Sequence, residues 1–84
     1  MMAGYHLHEI SRGTYGELSK IKEEIAEIED SISQDCKIME LVELSDLYGA
    51  IEGYLAKYHP SVTMKDLQIM STITKRAFKN GNRG

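Results

Sequence analysis

Apolar residues in the stretch LSKIKEEIAEIEDSIS fall at Leu18, Ile21, Ile25, Ile28 and Ile32, at spacings of three and four. That rhythm predicts an amphipathic helix running to about Ser33. Gly13 and Gly16 bracket its start, and Thr14 with Glu17 three residues on can form a cap. The isoleucines fit a seam packed against another helix. Ser33-Gln34-Asp35 reads as a break, and a second helix is predicted from about Cys36 to Tyr58. Its apolar residues go nearly all the way round, from Ile38, Met39, Leu41 and Val42 to Tyr54 and Leu55, so it is expected to be central and packed on several sides. Gly49 and Gly53, four apart, read either as a close helix approach or as two tolerated helix glycines. Pro60 disfavours helix at the residue before it and closes this element. Thr63 with Asp66 marks another start, and a third helix is predicted from about Met64 to Lys79. Its packing set is Leu67, Met70, Ile73, Thr74, Ala77 and Phe78. No strand alternation of useful length occurs. The fold class is all-α: residues 14–84 form a small antiparallel bundle of about three main helices, preceded by an irregular segment, residues 1–13.

Composition adds that this is one small domain. A core drawn from 84 residues is marginal alone, so completion of the bundle by oligomerisation, as a homodimer or homotetramer, is expected. The net charge of -3 argues against a nucleic-acid or acidic-membrane partner. Charge is nonetheless polarised: the ending KRAFKNGNRG carries Lys75, Arg76, Lys79 and Arg83 and no acid. The single cysteine, Cys36, excludes an intrachain disulfide and a C-x-x-C zinc site. No signal peptide is recognisable and no apolar run approaches the roughly 20 residues of a membrane span, so a cytoplasmic protein is expected. Cys36 reads as structural, His6 and His8 as a chance alternation, and His59 as turn surface.

The acids carry the chemistry. Glu24 and Glu27 are three apart on the first helix and border the isoleucine stripe; Glu43 and Asp46 repeat that spacing on the second. Packed antiparallel, the two helices can bring one pair against the other. Four carboxylates meeting in a groove repel strongly, and a divalent cation converts that repulsion into binding energy. Acid-rich helix faces are commonly just solvated, and Glu23, Glu29 and Asp30 read that way. Glu43 and Asp46 tilt the balance, because their helix is apolar on almost every other side. All-oxygen ligation points to a hard cation, Mg²⁺ with Mn²⁺ as a substitute, or Ca²⁺, and the loop pattern of an EF-hand is absent. A Mg²⁺-carboxylate cluster implies phosphate chemistry.

Glu23-Glu24-x-x-Glu27, a gap of 15 residues, then Glu43-x-x-Asp46 resembles the signature of the all-α nucleoside triphosphate pyrophosphohydrolases. That superfamily includes the MazG-like proteins, dimeric dUTPases and phosphoribosyl-ATP pyrophosphatases. Leu47 after Asp46, and the ending Lys75-x-Ala77-Phe78-Lys79-x-Gly81-x-Arg83, are similar to small MazG-like proteins. The resemblance implies Mg²⁺-dependent cleavage of a nucleotide substrate to the monophosphate and pyrophosphate. It implies Glu24, Glu27, Glu43 and Asp46 as metal ligands, and Glu23 or Glu27 as the base. Lys20, Lys75, Arg76, Lys79 and Arg83 become substrate-binding candidates on the phosphates. A phosphoribosyl-ATP pyrophosphatase and a nucleotide-binding protein without turnover are the alternatives. Tryptophan is absent; Tyr15, Tyr48, Tyr54 and Phe78 are candidates for stacking on a base in its place, though most of them read more readily as buried aromatics.

Overall fold

The computed structural model describes residues 9–79, with side chains as far as Lys75. It contains three helices: α1 (Leu18–Ser33), α2 (Lys37–Tyr58) and α3 (Met64–Lys79). No strand occurs among the described residues, and the all-α expectation holds with element ends within a residue of the predicted ones at the α1–α2 break and around α3.

The start of α1 differs from the expected Thr14–Glu17 cap. Glu17 itself is the N-cap, extended at φ -109° and ψ 160°, and makes no side-chain cap. Gly16 stands at φ +92°, a conformation L side chains rarely adopt, and it turns the chain one step before the helix begins. Thr14 contributes through its backbone: its carbonyl accepts from the Glu17 N–H at 2.9 Å, and its own N–H donates to Ser19 Oγ at 3.0 Å. The Glu17 carboxylate instead accepts from Lys57 Nζ and the Tyr58 hydroxyl at the far end of α2. The beginning of α1 is thereby held to the end of α2, and the two helices run antiparallel.

α1 ends in a Schellman motif. Asp35 lies in the left-handed region at φ 55°. Its N–H donates to the Ile32 carbonyl at 2.9 Å, and the Cys36 N–H donates to the Ser31 carbonyl at 3.2 Å. α3 opens with the reciprocal box expected at Thr63: the Thr63 N–H donates to Asp66 Oδ2 at 2.9 Å, and the Asp66 N–H to Thr63 Oγ1 at 3.1 Å.

Packing departs from expectation. Among the described residues α1 and α2 lie along each other, whereas α3 makes little contact with either, so there α2 is covered on one side rather than several. Ile38, Leu41, Val42, Leu44 and Tyr48 of α2 are exposed, as are Ile69, Met70 and Ile73 of α3. The expected isoleucine seam is split. Ile21 and Ile28 are half-buried, while Leu18, Ile25 and Ile32 face outward. The reason is rotational: α1 turns Glu24 and Ser31, seven apart, into α2, and that rotation carries the positions one residue further on away from it. Asp30, expected in solvent, is buried and accepts from Gln34 Nε2 at 2.7 Å. Gly53 makes room for the Tyr15 ring rather than for a helix; a Cβ there would lie 2.5 Å from Tyr15 Cζ. Above Gly49 there is open space.

Candidate metal centre

The antiparallel α1–α2 pair brings the two acidic dyads together. Carboxylate oxygens of Glu24, Glu43 and Asp46 lie within 4.8 Å of one another, and so do those of Glu23, Glu24 and Glu27. Glu24 belongs to both groups. Glu27 also shares a hydrogen bond with Glu43 across the helix pair. Glu24 is 4% exposed and Glu43 0%, whereas Asp46 is open to solvent, so the cluster has a sealed floor and one accessible edge.

This packing inverts the usual arrangement of a helical hairpin. Ala50 and Leu55 are the buried apolar residues, while carboxylates fill the centre of the helix contact. Uncompensated burial of that kind costs several kcal/mol per charge. One compensation is visible: Lys20, one turn before Glu24, places Nζ 3.2 Å from Glu24 Oε2 and 3.2 Å from Glu23 Oε1. The other oxygen of Glu24, Oε1, is buried and receives no hydrogen bond.

Proton affinities follow from these surroundings. Burial pushes the Glu27 carboxyl up to about 8, with hydrogen bonds to Glu23 and Glu43 and the charges of Glu24 and Glu43 acting in the same direction. Burial also raises Glu24, against the pull of Lys20 and with the like charges of Asp46 and Glu23 adding to it. Glu23 goes the other way: the Gly13 N–H, 2.8 Å from Oε1, holds its carboxyl below the ordinary value. For Lys20, burial alone would lower the ammonium, but hydrogen bonds from it to Glu24 and Glu23 outweigh burial and hold its pKa up.

The donor set suits a hard divalent cation. Every candidate donor is a carboxylate oxygen, no histidine or thiol among the described residues enters the cluster, and Glu24 Oε1 is buried there without a hydrogen bond. Beside the acids lies a cleft of about 380 Å³ bordered by Tyr15, Lys20, Ser45, Asp46 and Gly49. Neither Ser45 nor Gly49 is among the site residues expected from the sequence. Gly49 lies three residues after Asp46, on the same face of α2, and that spacing was the available signal. Tyr15 is well exposed and lines the cleft.

The expected cationic residues are divided. Lys20 stands at the cluster. Lys75 is exposed on α3, beside a groove with Leu67, Ser71 and Thr74, and no described contact brings it to the carboxylates. Arg76 and Lys79 lie on α3 beyond the last described side chain, and Arg83, His6 and His8 lie outside the described residues. Cys36 is half-buried at the N-cap of α2. No described helix is long and apolar enough to cross a membrane. No family model, no curated protein and no solved structure matches this chain.

Proposed function

We propose that the protein is a divalent-cation-dependent nucleotide pyrophosphohydrolase, converting a nucleoside triphosphate or related nucleotide to the monophosphate and pyrophosphate. One observation carries the reading: a carboxylate that is 4% exposed, with one oxygen lacking any hydrogen bond, sits where two acid groups from antiparallel helices intersect. A structural hairpin would place leucine there. The two-part acid motif, which resembles that of the all-α pyrophosphohydrolases, supplies the reaction class.

Glu24, Glu43 and Asp46 would hold one cation, and Glu23, Glu24 and Glu27 offer donors for a second. Mg²⁺, or Mn²⁺ in its place, shields phosphate charge and lowers the pKa of a coordinated water. The protein's own groups do the rest. Lys20 shifts its ammonium from the carboxylates to a phosphate oxygen, a short movement for a flexible side chain. Of the two base candidates, Glu27 fits better. Glu23 is held below its ordinary value by the Gly13 amide and is a weak proton acceptor, whereas Glu27 retains affinity for a proton near neutral pH. With a cation in the cluster displacing the proton it otherwise holds, Glu27 would be free to take the proton of the attacking water. The cleft walled by Tyr15 takes the rest of the nucleotide. The working unit is a homodimer or homotetramer.

The test is pyrophosphate release from a panel of nucleotides, phosphoribosyl-ATP included, with Mg²⁺ present and absent. Turnover that requires Mg²⁺ and falls at least 100-fold in Glu43→Gln, with the helical circular dichroism intact, is the expected result. Mg²⁺-dependent nucleotide binding without pyrophosphate would identify a binding protein instead. Wild-type turnover in the variant would remove the carboxylates from the chemistry.

A further inference from the structure

Residues 9–13 run back along α1 rather than away from it. Glu9 and Ile10 border one hollow with Ala26, Asp30 and Ser33, and Arg12 borders another with Ser19 and Lys22. The small side chains Ser19, Ala26 and Ser33 recur every seven residues and leave a shallow track on that face of the helix. At Gly13 the segment meets the helix closely. A Cβ there would lie 2.2 Å from the Ser19 carbonyl oxygen and 2.5 Å from the Lys20 nitrogen. Both are backbone atoms of the first helical turn, so a side chain at this position would force the segment off the helix. The close approach brings the Gly13 N–H to Glu23 Oε1 at 2.8 Å, while the Thr14 N–H donates to Ser19 Oγ at 3.0 Å. The Lys20 ammonium donates to the same Glu23 oxygen at 3.2 Å, and Glu27 shares a further hydrogen bond with Glu23. Glu23 is thus partnered by a backbone N–H, an ammonium and a carboxyl. Its neighbour Glu24 keeps a buried oxygen with no hydrogen bond.

We propose that Gly13 is a positioning residue of the carboxylate cluster: its N–H holds Glu23 clear of the cations, so that Glu24, Glu43 and Asp46 take one ion and Glu23, Glu24 and Glu27 take a second only when the Gly13 bond breaks. The inference deepens the cation reading above and rests on it. A backbone N–H suits the task because its place is set by the path of the chain. Lys20 leaves Glu23 when it turns to a phosphate, whereas Gly13 stays. To ligate a second ion, Glu23 must give up a hydrogen bond from an N–H to a charged group, which weakens that ion's binding by about tenfold or more. Hollows of about 380 and 370 Å³ lie along the rest of the segment, so its position on α1 is set at Gly13 and Thr14.

The test counts Mn²⁺ ions on the full chain without nucleotide, by calorimetry and electron paramagnetic resonance. Wild type should bind one ion per chain tightly and a second about tenfold or more weakly. Gly13→Ala, with helical circular dichroism intact, should keep the first affinity and bind the second ion about tenfold more tightly. The two ions then share Glu24 and should give a spin-coupled signal, which adding Glu23→Gln to Gly13→Ala should remove. Two ions of equal affinity in wild type, or an unchanged second ion in Gly13→Ala, would overturn the role of Gly13 and leave the cation site in place. No Mn²⁺ bound by wild type would overturn the cation reading, and this inference with it. A second measurement needs no variant. In ¹H–¹⁵N spectra of wild type, the Gly13 amide should exchange slowly with solvent through the first equivalent of Mg²⁺ and quickly once a second binds. Fast exchange of that amide in the metal-free protein, or slow exchange with both ions bound, would also overturn it.

Discussion

On the proposed reading, the chemistry of this protein turns on Glu24. It lies one turn after Lys20 and faces α2, so the ammonium neutralises one of its oxygens and leaves the other for a ligand. On the proposed reading Lys20 and a divalent cation compete for the same carboxylate. Removing the ammonium as Lys20→Met should lower the melting temperature of the metal-free protein and enlarge the rise produced by saturating Mg²⁺, read by differential scanning calorimetry. An unchanged Mg²⁺ shift would mean that the two do not share a site. Glu27 sets the pH response. Its carboxyl is raised from 4.5 to about 8 in the folded chain, so between those values the folded state binds a proton that the unfolded state does not. The contribution is fully present below pH 4.5 and is lost as pH rises through 8. Metal-free protein should accordingly melt lower at pH 8.5 than at pH 5.5. Mg²⁺ should stabilise more at the higher pH, because protons and the cation compete for the same oxygens. A melting temperature that rises across this window without metal would contradict the assignment.

At the scale of the element, the ends are set by local chemistry. The Schellman turn forces Asp35 into a left-handed conformation that costs a residue with a Cβ, whereas glycine adopts it freely. Asp35→Gly should stabilise by about 0.5–1 kcal/mol, a few degrees in a domain of this size, measured by urea unfolding. The two glycines of α2 make a contrasting pair. A Cβ at Gly49 would meet nothing within 4 Å, so Gly49→Ala should gain about 1 kcal/mol of helix propensity. Gly53→Ala should gain less, because its methyl must displace the Tyr15 ring that lies against it. The same unfolding series reads both, and a larger gain at Gly53 would show that Tyr15 does not rest there in solution.

For the molecule as a whole, the balance of buried and exposed groups is the governing fact. The chain buries Glu24, Asp30, Ser31 and Glu43 and exposes much of its isoleucine and leucine. In the homo-oligomer proposed above, a second copy would cover those side chains. Amide hydrogen exchange makes this visible: protection along α3 should rise with protein concentration, while the α1–α2 pair, held by the Glu17 contacts to Lys57 and Tyr58, should change less. Concentration-independent protection of α3 would mean that α3 finds its surface within one chain.

Much of this was readable from the chain. The spacing of Ile21, Ile25 and Ile28 defined α1, Pro60 with Thr63 and Asp66 defined the α2–α3 turn, and the two acidic dyads stood out by their matched spacing. These are properties of neighbours in sequence, fixed by helical period, capping and proline sterics, so the sequence by itself determined them. It could not determine which face of α1 meets α2. Acids and isoleucines are adjacent on that helix, and a small rotation about its axis exchanges one for the other. Gly16 delayed the helix start, Glu17 tied it to Lys57 and Tyr58, and Tyr15 settled on Gly53. Those contacts span some forty residues, and only the tertiary structure, by fixing that rotation, decided that Glu24 and Glu43 point inward and Ile25 and Ile32 outward.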